Sequence, residues 1–449
     1  MTKEISGSDD EAGPGHPTAS QVAEIEREPN RFSRWLKVLG PGLVTGASDD
    51  DPSGIATYAI AGASLGFSTL WMAVVTFPLM AATQFMSAKI GMVAGTGLAG
   101  VVRHHYSKWI LYPVVFALVV ANTINAGADI GAIAAAINLF APVPVATSII
   151  PVSLILIALQ VFGSYRLIAN IFRWLTLALL SYIATAFFAH PNLHDVARGT
   201  FIPSFALDIA FISTFVAILG TTISPYLWFW QSSQEVDEER VHGRDLLWER
   251  QGASDSELKY KAWDVNVGMF LSNLVMYFII LTTAATLHKA GQTDINSATQ
   301  AAEALRPLAG DAAKYLLALG LVGAGLLAVP VLTSAAGYAT TEAFGWHSSL
   351  DAKPSHAKQL YAIIAAATLV GMAMNFAGIN PIDALFYSAV INGLISPPLL
   401  LLIMLMSNDR RILGDRVNGS AINALGWATT LLMTAAALLL VGLWVTGSA

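Results

Sequence analysis

Long runs of apolar residues constrain this chain more than any other feature of its sequence. Most are long enough to cross about 30 Å of hydrocarbon at about 1.5 Å per residue. Because lipid cannot satisfy backbone hydrogen bonds, such segments must form helices. We therefore predict an all-α integral membrane protein with about 11 transmembrane helices. The runs fall roughly at 38–62, 66–93, 109–140, 145–163, 167–189, 205–231, 264–288, 311–343, 358–377, 383–406 and 420–446.

The composition agrees with a lipid environment and argues against several functional classes. Hydrophobic residues make up 55% of the chain and charged residues 12%, far from the balance of a soluble protein. The absence of cysteine excludes thiolate metal sites and cysteine nucleophiles. No basic stripe interleaved with aromatic residues indicates a nucleic-acid partner. No catalytic triad or ATP-binding motif is visible, so we expect neither an enzyme nor a permanently bound cofactor.

Charge placement predicts the domain organisation and the orientation. Residues 1–35 are polar and acidic and predict a disordered cytoplasmic tail, followed by a single transmembrane domain at 36–449. With the N-terminus inside, only four of the 24 basic residues fall in outside loops: Arg198, Lys289, Arg306 and Lys314. Basic residues gather on the cytoplasmic side, so an odd number of crossings fits. We expect a plasma (inner) membrane location with the C-terminus outside.

Two of the apolar segments are interrupted near their middles. The first, from Gly40 to Gly62, contains Pro52, and the sixth, from Phe215 to Gln231, contains Pro225. Proline removes a backbone donor, so both helices should unwind there. Breaks in helices 1 and 6 are typical of a leucine-transporter-like 5+5 inverted repeat, whose substrate site lies between the broken helices near the midplane.

The first break carries acidic side chains. Asp51 stands beside Pro52, where a carboxylate inside the membrane is costly unless it meets a cation or a partner. Alternatively, the run from Asp49 to Asp51 is a solvated loop between two short apolar stretches. We interpret Asp49 and Asp50 themselves as plain polar residues that face water.

The sixth segment and the third segment offer neutral oxygens and one further acid. Thr221, Thr222 and Ser224 suit a hard cation such as magnesium or manganese, or they merely satisfy backbone groups freed by a proline kink. At helical spacing Asn122, Asn125 and Asp129 form a polar stripe, which is either an ion or proton route or ordinary interhelical hydrogen bonding. We interpret the range 235–261 as a mixed-charge cytoplasmic loop.

Together these motifs resemble the NRAMP family of divalent metal transporters. The family's first-helix DPGN signature and following AT element are similar to the residues from Asp51 to Thr57. Its sixth-helix signature, a Gly followed by Met-Pro-His, is similar to the residues from Gly220 to Tyr226. Further resemblance lies in GLVGAG from Gly320, TSAAGYATTEAFG from Thr333 and SNDRRILGDRVNG from Ser407. The resemblance covers about 38–420.

By position, the resemblance implies that Asp51 is a metal ligand, with the carbonyls of Ser48 and Thr221 near the ion. Three expected side chains are changed. Gly54 stands for the family's ligand Asn, Ser224 for its soft Met and Tyr226 for its proton-linked His.

The acids and amides on other helices also depart from the family pattern. Asp129 matches the family acid on the third helix, but Ala126 replaces a second acid one turn earlier. On the tenth helix Ala389 replaces a glutamine, and Asn392 is a candidate substitute. The altered sixth-helix motif is closer to a subgroup that resembles magnesium transporters without strong proton coupling.

We therefore predict a secondary transporter that takes up divalent metal ions by alternating access, with the metal as substrate. The loss of the thioether favours manganese or magnesium over iron. Proton coupling is left open, because Tyr226 cannot replace a histidine whereas Asp129 keeps a route. Two alternatives are an ion-coupled transporter of a small organic solute on the same fold and a non-transporting ion-binding membrane receptor.

Overall fold

The computed structural model describes residues 40–141, 143–162, 180–241 and 243–446, and within these ranges it contains helices and turns but no strand. Short 3₁₀ turns and one π-helical stretch, Ala284–His288, connect or extend the α-helices. In chain order the helices are α1 (Pro41–Asp49), α2 (Pro52–Leu65), α3 (Trp71–Ala94), α4 (Leu98–His105), α5 (Lys108–Phe140), α6 (Val145–Phe162), α7 (Ser181–Phe188), α8 (Leu193–Phe201), α9 (Ile209–Thr222), α10 (Pro225–Val241), α11 (Leu247–Arg250), α12 (Asp255–Thr283), α13 (Ala298–Glu303), α14 (Arg306–Ala309), α15 (Ala313–Phe344), α16 (Lys358–Met374), α17 (Pro381–Ser407), α18 (Arg410–Leu413) and α19 (Ser420–Thr446).

In the described part of the chain, nine stretches are long and apolar enough to cross a membrane. They correspond to nine of the predicted segments. The first predicted segment is the pair α1 and α2, neither of which is long enough to cross alone. The fifth, 167–189, lies largely outside the described residues, as does the predicted tail 1–35. The all-helical membrane fold is thus confirmed, while the count of eleven and the inverted repeat stay predictions.

The predicted cytoplasmic loop at 235–261 is wrong in its extent. Helix α10 continues to Val241, and α12 already begins at Asp255. The charges in this range can be buried because they pair with one another. Lys261 Nζ lies 2.9 Å from Glu235 Oε2 and 3.3 Å from Asp264 Oδ2. Because these charges are paired, α10 and α12 extend further than they would if each charge had to reach water.

The same cluster fixes the start of α1. The Asp264 carboxylate accepts hydrogen bonds from the backbone amides of Gly40 (2.9 Å), Gly42 (2.8 Å) and Leu43 (3.0 Å). These are the first amides of a helix, which have no partner within the helix itself. The negative charge of Asp264 there also interacts favourably with the positive end of the helix dipole. Helix α1 is therefore capped by a side chain of α12.

A second set of contacts ties α1 to α10 and α3. The Thr45 hydroxyl donates to the Gln231 side chain, whose amide donates to Glu235 Oε1 at 2.5 Å. Gln84 on α3 donates to the Leu227 carbonyl at 3.1 Å and to Gln231 Oε1 at 3.2 Å. We call this network the α1 latch, and it consists of Thr45, Gln84, Gln231, Glu235, Lys261 and Asp264.

Candidate functional site

The two predicted helix breaks lie side by side in the fold. Helix α1 ends at Asp49 and α2 begins at Pro52, while α9 ends at Thr222 and α10 begins at Pro225. Helix α2 packs against both α9 and α17. Two helix C-termini and two helix N-termini therefore converge, and they bring both freed carbonyls and freed amides to one place. Carbonyl oxygens at such ends are suited to bind a cation.

Asp51 is the N-terminal cap of α2, and its side chain is 1% exposed. Its Oδ1 accepts hydrogen bonds from the Gly54 amide at 2.6 Å and from the Ser53 hydroxyl at 2.7 Å. Its Oδ2 accepts from Asn125 Nδ2 on α5 at 3.0 Å. Three donors and the positive end of the α2 dipole thus stabilise a carboxylate that water does not reach.

Asn125 is held in turn by α17. The Ser388 hydroxyl donates to Asn125 Oδ1 at 2.8 Å, and both side chains are buried. The hydrogen bond from Ser388 directs the amide nitrogen of Asn125 toward Asp51. Helices α2, α5 and α17 are therefore joined through one continuous chain of polar side chains.

The second break approaches Asp51 at Gly54. A Cβ atom placed on Gly54 would lie 3.0 Å from Thr221 Oγ1, 3.3 Å from Asp51 Oδ1 and 3.3 Å from the Asp49 carbonyl oxygen. Three oxygen atoms thus surround the one position that lacks a side chain. Glycine permits this close approach of α9, and a larger residue would have to displace one of these oxygens.

Side-chain hydroxyls meet the carbonyls that the breaks release. Tyr226 donates to the Ser48 carbonyl at 2.9 Å, and Ser224 donates to the Thr221 carbonyl at 2.6 Å. The Thr222 hydroxyl points back along its own helix and donates to the Ile218 carbonyl at 2.7 Å. The carbonyls of Ser48 and Thr221 therefore lie at the breaks, and each already accepts a hydrogen bond in this conformation.

The interpretation of Asp49 and Asp50 as water-facing residues is wrong. Asp49 is 0% exposed and Asp50 is 5% exposed. Both carboxylates face α12, where the Ser272 hydroxyl lies 2.5 Å from Asp49 Oδ2 and 3.2 Å from Asp50 Oδ1. They are buried because the break lies inside the bundle, so the chain around it cannot reach solvent. The same burial excludes the solvated-loop alternative for the first break.

The remaining candidates on α5 and α17 are buried but are not all joined to Asp51. Asn122 donates to the Leu332 carbonyl at 3.1 Å and so serves helix packing. Asp129 lies one turn beyond Asn125, and neither of its oxygens has a hydrogen-bond partner among the described residues. The same holds for both amide atoms of Asn392, which is 1% exposed. These two side chains are therefore candidates to bind an ion, a proton or water.

The sequence did not predict three serines that form hydrogen bonds in the candidate site. Ser53 lies within the first-break motif, so its proximity to Asp51 could have been expected. Ser388 and Ser272 are single serines in long apolar helices, and such a serine gives no periodic signal. Their contacts follow only from the packing of α17 and α12 against the first break.

Comparison with known proteins shows which family has this arrangement. The sequence model of the Nramp family, described as natural resistance-associated macrophage protein-like, matches residues 42–443. The chain belongs to the Nramp family. Nramp proteins are membrane transporters of divalent metals and not enzymes, so the predictions of a transporter and of no enzyme are confirmed at that level.

Solved structures show the same fold at low sequence identity. A mutant of the Eremococcus coleocola manganese transporter matches with a TM-score of 0.72 at 18% identity, covering 92% of this chain and 87% of that one. The same transporter in complex with an aromatic bis-isothiourea substituted compound gives 0.72 at 20% identity, covering 93% and 88%. Mhp1 in its inward-facing conformation gives 0.53 at 14% identity, covering 91% of each chain. The Nramp chain therefore has the leucine-transporter-like fold.

We predict that Asn125→Ala weakens metal binding about tenfold, because loss of a residue that orients a metal ligand typically costs 10- to 100-fold in affinity. Isothermal titration of the purified protein with manganese measures the change. Asn122→Ala is the matched control, since it removes the same side chain from the same helix without touching Asp51. Equal affinities for the two variants would contradict the role of Asn125.

We further predict that Tyr226→Phe loosens the contact between α1 and α10, because it removes the hydrogen bond to the Ser48 carbonyl. A buried hydrogen bond contributes about 1 kcal/mol, so labelling of a Ser48→Cys reporter by a hydrophilic maleimide should rise severalfold. The chain has no cysteine of its own, so the reporter is measured without background. Tyr182→Phe is the control, because the Tyr182 hydroxyl has no partner within the described ranges. An unchanged labelling rate in Tyr226→Phe would refute the contact's role.

Proposed function

We propose that this Nramp protein takes up manganese or magnesium in preference to iron, with Asp51 supplying the negative charge that holds the ion. The supporting observation is the position of the Asp51 carboxylate. It is buried where the two broken helices meet, and its charge is balanced by dipoles but by no cationic side chain among its hydrogen-bond partners. A divalent cation is the natural partner of such a group.

The ligand chemistry around Asp51 supports a hard ion. Asp51 contacts the Gly54 amide, the Ser53 hydroxyl and the Asn125 amide, and the Thr221 hydroxyl and the Asp49 carbonyl lie beside Gly54; none of these groups contains sulfur or imidazole. Across the described residues no group of three or more His, Cys, Asp or Glu side chains is arranged to hold a metal. Neutral oxygens and one carboxylate are typical ligands of magnesium and manganese, and such ions commonly keep part of their water shell.

Transport in this proposal proceeds by exposure of the site to one side and then to the other. The α1 latch closes one end of the bundle by holding the start of α1 against α12 and α10. Its release would let α1 move while α2 stays packed against α9 and α17. A protein with the same fold is a manganese transporter, which supports a divalent metal ion as the substrate.

Proton coupling would have to use a residue other than Tyr226. A tyrosine hydroxyl stays protonated near neutral pH, whereas a histidine exchanges protons there. Asp129 is the available acid on α5, where it is buried without a hydrogen-bond partner among the described residues. We propose that any coupled proton is carried by Asp129. The family assignment favours metal over the organic-solute and receptor alternatives, and no contact among the described residues supports either of them.

We predict that Asp51→Asn abolishes manganese and magnesium uptake in reconstituted vesicles, because the amide keeps the size of the side chain but removes its charge. Asp383→Asn is the matched control, since Asp383 is an exposed acid at the start of α17. Uptake is measured with a metal-sensitive dye inside the vesicles. Normal uptake by Asp51→Asn would overturn the proposed function.

We also predict that Ser224→Met changes selectivity toward soft ions, because a thioether binds cadmium better than it binds magnesium. The ratio of cadmium to magnesium affinity, measured by titration, should rise at least about tenfold. Ser224→Ala serves as the control that deletes the hydroxyl without adding sulfur. If both variants keep the ratio of the unmodified protein, Ser224 does not face the ion.

A further inference from the structure

A cavity of about 610 Å³ lies at one end of the bundle, away from the helix breaks. Three chain segments form it: the connection from α3 to α4 with the end of α4, the region of α11, and the segment from α18 onward. The last of these segments belongs to the SNDRRILGDRVNG motif, whose residues do not contribute to the candidate ion site. The cavity therefore gives this motif a candidate role of its own.

The rim of the cavity is basic. His104, His105, Arg411 and Arg416 line it, and the two histidines and Arg411 are exposed. None of the described residues that line it is acidic. Arg411 pairs with Asp409 at 2.6 Å, and Arg416 pairs with Asp255, but neither acid is part of the lining. The Arg411 side chain itself is 77% exposed, so an arriving anion can reach its guanidinium group beside Asp409.

The floor of the cavity is apolar and formed by Val93, Val101, Ile412 and Leu413. Membrane-spanning helices end or begin beside it, namely α3, α12 and α17. Helix α11 next to it exposes Leu247 by 43% and Trp248 by 56%. Exposed tryptophan at the ends of spans is typical of the membrane–water interface. These features are expected of a cavity that opens near lipid headgroups.

We propose that this cavity binds the phosphate headgroup of an anionic glycerophospholipid, with the first part of an acyl chain against the apolar floor. A soluble phosphate would find the same arginines but would leave the apolar floor unused. Positive charge beside apolar surface at the ends of spans matches a lipid headgroup better. The same loops carry many of the basic residues, so the positive-inside rule also places the cavity at the cytoplasmic leaflet, where anionic lipids are attracted to basic residues.

The test is native mass spectrometry of the purified full chain with phosphatidylglycerol, phosphatidylcholine or inorganic phosphate added. We expect phosphatidylglycerol to be retained in preference to phosphatidylcholine. Arg411→Gln with Arg416→Gln should weaken its binding about fivefold for each arginine removed. Asp255→Asn is the matched control, because it breaks the ion pair of Arg416 but keeps the positive charge. Binding to this control should be unchanged or tighter.

Three results would overturn the proposal. The first is equal retention of the two lipids by the unmodified protein. The second is phosphatidylglycerol binding by the double arginine variant that equals that of the unmodified protein. The third is displacement of phosphatidylglycerol by millimolar inorganic phosphate, which would indicate a site for soluble anions. The melting temperature in phosphatidylcholine checks that the double variant is folded, and His104→Gln with His105→Gln provides a second variant if it is not.

Discussion

The charge of Asp51, buried inside a membrane bundle, is the constraint on which the rest of the structure depends. A carboxylate there persists only if the protein replaces the water it has lost. The break in the first helix does this directly, because it frees the Gly54 amide and places Asp51 at the positive end of α2. Ser53 and Asn125 add two further hydrogen bonds. An unbroken helix would have left the carboxylate among saturated backbone groups.

A helix broken in this way needs support at its N-terminal half, since α1 alone is nine residues long. Isolated helices of that length are not stable. The α1 latch provides the support through Asp264, which caps the first amides of α1, and through Lys261, which balances the charge of Asp264. Gly42 allows close contact, because a Cβ there would lie 2.7 Å from the Val265 backbone nitrogen. The support is made of polar contacts, so under the proposed function water would replace them when α1 moves.

The features that the sequence predicted correctly are those that repeat or interrupt a pattern. Apolar runs predicted the spans, Pro52 and Pro225 marked the breaks, and the spacing of Asn125 and Asp129 placed them on one buried face. The prediction of a loop over 235–261 fails because charged residues need not reach water where opposite charges pair, as Lys261 does with Glu235 and Asp264. Pairing between distant helices leaves no trace in local composition. For the same reason the burial of the Asp49 and Asp50 carboxylates against α12 could not be predicted.

The side chains at the second break explain why selectivity should differ from that of relatives with a thioether. The Ser224 and Tyr226 hydroxyls donate to carbonyls of the breaks, so they present only their oxygen lone pairs. Gly54 has no side chain and therefore contributes no side-chain ligand. The second break thus adds no charge to that of Asp51 and few strong ligands, so it cannot replace the whole water shell of a small divalent ion. Under the proposed function, ions would therefore be distinguished by charge and hydrated size, and little by softness.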